Sequence, residues 1–238
     1  MSSKSLLIID AGHSRIKFHH YNQEGVSRET QNLKPFAWPQ QKRFLHADEC
    51  LLVGTNKRMN IRLSAHIKNL EHIPTPITLG VDIRVPLATS CSGVGSDRLA
   101  HGLGALQQFP NINCLVVSAG SALVIDLLNH DGNFAGGLIG IGLGHYKEAM
   151  SRMNPELLCA STAENYPGTN TEQAVLQGWL SPALKAISGL YAEHLCQKLI
   201  ITGGDAQSLL PHFPEAIECP HLGADAMAKA LGYSAFSQ

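Results

Sequence analysis

The chain has 238 residues, of which 44% are apolar and 16% charged, enough apolar matter to bury a core and too much for a disordered chain. The formal net charge of −1 argues against a nucleic-acid or membrane-surface partner. No apolar run approaches the roughly 18–20 residues of a membrane span.

In chain order, Met1-Ser2-Ser3-Lys4 leads into Leu6-Leu7-Ile8-Ile9-Asp10, too short for a signal-peptide core and read as a buried strand. Similar runs recur at Leu51–Val53, Leu115–Val117, Leu123–Leu128 and Leu199–Ile201, and continuous apolar runs suit strands covered on both faces. Between them lie helical patterns. Ser96 to Gln108 reads as a helix with Ser96 as N-cap and Leu99, Leu103 and Leu106 on one side. Thr169-Asn170-Thr171-Glu172 fits a capping box ahead of a long apolar stripe that Pro182 interrupts. Leu222 to Leu231 suggests a last helix, and the polar stretch at residues 22–50 reads as loop or irregular edge structure. Strands alternating with helices favour an α/β fold. Residues 6–21 and 114–128 both read strand, Gly-containing turn, strand, which suggests two lobes of like design, 1–110 and 111–238.

The six cysteines form no C-x-x-C pair and several sit in apolar runs, as expected of reduced thiols in a cytoplasmic protein. The twelve histidines form no H-E-x-x-H or zinc-spaced cluster. Without a G-x-x-x-x-G-K-[ST] segment, phosphate binding cannot come from a P-loop.

Four segments are candidates for chemistry. In Asp10-Ala11-Gly12-His13-Ser14-Arg15-Ile16-Lys17, a Gly turn lets backbone N–H groups approach an anion, and a strand-end Asp suits a hydrated Mg²⁺. An ordinary β-hairpin turn has the same composition. In Gly95-Ser96-Asp97-Arg98, Asp97 is either an electrostatic helix cap or a general base beside an anion-binding Arg98. Gly136-Gly137-Leu138-Ile139-Gly140-Ile141-Gly142 and Thr202-Gly203-Gly204-Asp205 permit close backbone approach, either to a ligand or to packed structure.

Together and in order, these segments resemble the type III pantothenate kinases, which include the Bvg accessory factor proteins. The resemblance spans nearly the whole chain. It implies two ribonuclease-H-like (actin-like ATPase) lobes with a cleft between them, a homodimer, and phosphorylation of pantothenate by ATP with Mg²⁺ and a monovalent cation such as K⁺ or NH₄⁺. By that resemblance Asp10, Ala11, Gly12, His13, Ser14 and Lys17 hold phosphate, with Gly120, Ser121, Gly203 and Gly204 on the nucleotide side. Asp97 is the catalytic base, Gly95, Ser96 and Arg98 bind pantothenate, and Thr171 of Gly168-Thr169-Asn170-Thr171 approaches the partner's pantothenate. Asp10 and the residue at 118 are the metal positions. The chain departs from the family pattern at His13, Ala88, Cys91 and Ile141, and above all at Ser118, where an acidic cation ligand is expected. A serine there supplies no charge, which leaves a non-catalytic, ligand-binding or regulatory member as the competing reading, and a kinase of another small alcohol as a third.

Overall fold

The computed structural model describes residues 4–12, 15–33, 39, 44–54, 56–162 and 166–233. Strand β1 (Leu6–Ala11) is buried on both faces, as its unbroken apolar run requires. It pairs antiparallel with β2 (Arg15–Asn22), which pairs with β3 (Gly25–Asn32). On its other side β1 runs parallel to β4 (Glu49–Val53), which runs parallel to β5 (Ile77–Thr78). The order is β3-β2-β1-β4-β5. Helix α1 (Lys57–Ile67) connects β4 to β5 and lays Met59, Leu63 and Ile67, one turn apart, on a core with Leu7, Ile9, Phe18 and Leu52.

The second sheet repeats this plan. Strands β6 (Cys114–Ala119), β7 (Ala122–Leu128) and β8 (Phe134–Ile141) form an antiparallel meander. Strands β9 (Lys198–Thr202) and β10 (Ile217–Glu218) extend the sheet in parallel beyond β6, in the order β10-β9-β6-β7-β8. Helices α3 (Leu143–Met153) and α4 (Thr171–Glu193) lie between β8 and β9. Leu176, Trp179, Leu180, Ala183 and Ile187 of α4 pack on Leu115, Val117 and Ile125, and the helix runs through Pro182.

The chain divides into two compact units, residues 1–107 with 222–238, and residues 108–221. The expected C-terminal lobe, 111–238, is therefore corrected at its end. Helix α5 (Leu222–Ala230) returns to the first unit, where it packs on β1 and on α2 (Ser96–Gln108). Its anchor is polar: Asp225 Oδ1 accepts hydrogen bonds from Tyr21 Oη at 2.8 Å and Arg28 Nη2 at 2.7 Å. Arg28 also bonds His19 Nδ1 at 2.8 Å, so that nitrogen is the acceptor and the ring is neutral.

Three local expectations also change. Residues 25–32, within the stretch expected as loop or irregular edge structure, form a regular strand at the sheet edge. As an edge strand paired on one side only, β3 is half-buried or exposed along its length and has no hydrophobic alternation to announce it. Ser96 is the first helical residue of α2. The cap position belongs to Gly95, whose carbonyl accepts Leu99 N–H at 3.2 Å. Asn170, not Thr169, caps α4, its side chain accepting Gln173 N–H at 2.9 Å.

Candidate active site

In the first unit, strand pairing sets Asp10 directly opposite Lys17. Burial pushes the Asp10 carboxyl above its usual range, Lys17 draws it back, and Asp97 pushes it up further, so the three side chains lie within electrostatic reach of one another. Asp97 stands in the first turn of α2 with Oδ1 2.9 Å from Arg98 N–H. Gly95, Ser96, Asp97 and Arg98 are all half-buried there. Ser96 packs on Gly80, where a Cβ would come 3.1 Å from Ser96 Cβ. The structure thus brings Asp10, Lys17, Asp97 and Arg98 into one unit, next to Ala11 and Gly12. His13 and Ser14 lie outside the described residues.

Sequence reasoning missed what holds this turn. Gly54 follows β4 at φ +111°, and a Cβ there would lie 2.6 Å from the Ala11 carbonyl oxygen, so only glycine allows the two backbones to touch. Asn56 caps α1 through Met59 N–H and donates from Nδ2 to Gly12 O at 3.1 Å, while Asn60 Nδ2 donates to Gly54 O at 3.1 Å. The available signal was Val53-Gly54-Thr55-Asn56, a strand ending in Gly with an Asx residue two further on, like Thr202-Gly203-Gly204-Asp205.

That likeness is structural. In the second unit Gly203 (φ +102°) follows β9 and abuts the Ala119 carbonyl as Gly54 abuts Ala11. Asp205 N–H donates to Ala119 O at 3.0 Å. Asp10 and Ser118 are each the fifth residue of the central strand, before Ala and the turn glycine. Ser118 therefore occupies in the second unit the place that Asp10 holds in the first. Its strand partners are Val124 and Thr202, so neither adds a carboxylate.

The turn at Gly120-Ser121 is contacted on one side by the backbone that follows β8. Gly142 packs directly on Gly120 and Ser121, and its N–H donates to Ser121 O at 3.2 Å. His145 Nδ1, which must carry the proton, also reaches Ser121 O, at 2.8 Å. Gly136 to Ile141 are part of edge strand β8, where a Cβ on Gly137 would run into the Ile125 carbonyl oxygen, so close packing is what that glycine permits. Trp179 Nε1 of α4 donates to Ile141 O at 2.9 Å, tying that strand down. Gly168 packs against the first turn of α4 and Asn170 caps it, which explains both residues structurally, whereas Thr171 is exposed. Gly204 is exposed too.

The donor sets differ in their fit to cations. Mg²⁺ is commonly held by one or two carboxylates together with phosphate and water, and Asp10, a desolvated carboxylate at a strand end, fits that role. Ser118, at the matching place in the second unit, offers a hydroxyl where Asp10 offers a carboxylate, a neutral donor in place of a charged one. Among the described residues no group of three or more His, Cys, Asp or Glu side chains forms a metal cluster.

Solved structures of low sequence identity share this architecture. An archaeal actin homolog, Ta0583, superposes with a TM-score of 0.56 at 11% identity over 95% of this chain and 99% of its own. A conserved Baf-family protein from Campylobacter jejuni gives 0.65 at 26% identity, covering 95% and 97%. The fold is that of the actin-like ATPases. The type III pantothenate kinase sequence pattern matches residues 6–193. The type III pantothenate kinase of Laribacter hongkongensis (strain HLHK9) is 30% identical over 223 residues, 87% of this chain and 90% of that protein. That of Marinomonas sp. (strain MWYL1) is 29% identical over 92% and 91%. The chain belongs to the type III pantothenate kinase family.

Proposed function

We propose that this protein transfers the γ-phosphoryl group of ATP to the primary alcohol of pantothenate, giving 4'-phosphopantothenate, the first step of coenzyme A biosynthesis. The observation that carries the reading is Asp10, opposite Lys17 in the strand pairing and within electrostatic reach of Asp97, in a member of this family. Phosphoryl transfer asks little covalent chemistry of a protein; it needs alignment of the attacking oxygen and neutralisation of phosphate charge. Asp97 takes or orients the proton of the attacking hydroxyl. Arg98 binds the pantothenate carboxylate, as a bidentate guanidinium does well. Lys17 neutralises charge on the phosphate oxygens. Mg²⁺, held by Asp10, would supply further charge neutralisation on the phosphates. Neither the family match nor the shared fold favours a non-catalytic member.

The finer parts of the reading are a weak monovalent-cation site at Ser118 and a homodimer in which Thr171 approaches the partner's pantothenate. The dimer is supported by the open edge of the second sheet. There β8 exposes Leu138, Ile139 and Ile141 at 49%, 65% and 48%, apolar surface that a lone chain would leave in water. A cytoplasmic location is supported by six cysteines that all remain thiols. Among the described residues no helix is long and apolar enough to cross a membrane.

The test is ADP release by purified protein, with and without pantothenate, in K⁺, NH₄⁺ and Na⁺, alongside light scattering at micromolar concentration. Pantothenate-dependent release from a dimer is expected. Release indifferent to pantothenate would overturn the reaction, and an active monomer would overturn the assembly.

A further inference from the structure

His101 lies one helical turn beyond Asp97 on α2, so the two side chains share a face. Helical side chains lean toward the N-terminus, so the imidazole leans back under the turn that carries Asp97. The ring also meets the start of α5. A Cβ on Gly223 would lie 2.9 Å from His101 Cδ2 and 3.3 Å from Nε2, inside ordinary contact distance, so glycine alone leaves the ring its place. Helix α5 is in turn pinned. Asp225 is held by Tyr21 and Arg28, Gln107 Nε2 donates to Ala226 O at 3.2 Å, and Leu222 fills the notch at Gly104. On the α5 side the half-buried ring is therefore stopped by a helix that is itself held in place.

Electrostatics fits a spacer better than a proton carrier. Burial drives the His101 pKa down to about 4, against the upward pull of the Asp97 carboxylate and with the downward push of Lys17. Near pH 7 the ring is neutral. It can back Asp97 without discharging it, and it cannot accept the proton that Asp97 takes.

We infer that His101 is a positioning residue, a wedge between Gly223 of α5 and the Asp97 turn that fixes where the Asp97 carboxylate stands. The catalytic consequence rests on the reaction proposed above; the packing does not.

The test is a double-mutant cycle of Gly223→Ala, His101→Asn and the pair, with two readouts. In steady-state kinetics, Gly223→Ala is expected to lower kcat about tenfold, since a displacement of a fraction of an ångström at a reacting group has effects of that order. The KM for ATP should stay within about twofold. The double variant should recover most of the loss, because the shorter Asn no longer meets the new methyl. Independent losses that multiply would contradict the wedge. The second readout needs no turnover: the ¹³C carboxylate resonance of Asp97 in the unliganded protein. Gly223→Ala should move it when His101 is present and leave it in place in the His101→Asn background. A resonance unmoved by Gly223→Ala, or moved equally in both backgrounds, would overturn the inference. A wild-type protein that released no pantothenate-dependent ADP would overturn the kinase reading instead, while the Asp97 resonance would still decide the wedge.

Discussion

Gly104→Ala tests the seating of α5 on α2, on which the first unit's architecture depends. Gly104 is buried in the interior of α2, and a Cβ there would lie 2.5 Å from Leu222 Cδ1, 2.8 Å from Cγ and 2.9 Å from the Leu222 carbonyl oxygen. A rotamer change could relieve the first two contacts. The third is backbone at the first residue of α5, and the Asp225 bonds hold that helix, so relief requires the whole element to shift. Overpacking of this kind costs about 1–3 kcal/mol, and the backbone obstacle favours the upper half of that range. Removing a glycine from a helix interior returns about 1 kcal/mol. The net loss is then about 1–2 kcal/mol, or a fall in Tm of about 2–8 °C for a chain of this size. Gly189 is the control: it lies exposed inside α4, and a Cβ there would meet nothing within 4 Å, so the same substitution should raise Tm by a few degrees. Scanning calorimetry reads both. If Gly104→Ala melted at or above wild type while Gly189→Ala behaved as expected, α2 and α5 could not be packed as described.

Asp97→Asn should leave the circular dichroism unchanged and lower kcat by about a hundredfold or more, the scale of a lost general base; near-normal turnover would reduce Asp97 to a helix cap. Asp10→Asn should abolish metal-dependent turnover yet stabilise the unliganded protein near neutrality. Because the folded-state pKa of Asp10 is raised, wild-type stability from this group is present below the unfolded value near 4 and is lost as pH rises through the folded value. The Asn variant escapes that loss, so a pH series of urea midpoints should diverge above pH 4, and parallel curves would contradict the shift. Ser118→Asp should sharpen the K⁺ response of the initial rate at fixed ionic strength. An added charge about 4 Å from a cation is worth roughly 4 kcal/mol at an effective dielectric near 20. A steep K⁺ requirement already present in wild type would show that the neutral oxygens suffice.

How much of this was legible depended on where each element lies. β1, β4, β6 and β9 are covered on both faces, so their unbroken Leu, Ile and Val runs identify them. Edge strand β3, Gly-Val-Ser-Arg-Glu-Thr-Gln-Asn, carries no such signature. Helix α1 was hidden because only Met59, Leu63 and Ile67 supply its buried apolar face, while Ile61 is exposed among the basic and polar residues outside it. Helix α5 was visible as a helix, but its pattern could not reveal that it packs on β1, about two hundred residues earlier in the chain. At the proposed site, Asp10, Lys17 and Asp97 belong to compact motifs, which is why local sequence could nominate them. Gly54, Asn56, His101 and His145 act through distant partners, Ala11, Gly12, Gly223 and Ser121, and local sequence does not encode those contacts. The two-lobe repeat was visible in the strand–turn–strand units, and it is the matching strand position of Asp10 and Ser118 that gives the Ser118 departure its physical meaning.

The most direct measurement is ³¹P NMR of a reaction containing the purified protein, ATP, Mg²⁺ and pantothenate, with other small primary alcohols offered in parallel. A phosphomonoester on the pantothenate alcohol, formed with ADP in equal amount and lost in Asp97→Asn, is the expected result. Phosphate transferred only to water or to a different alcohol, or product formation unaffected by Asp97→Asn, would contradict the reading.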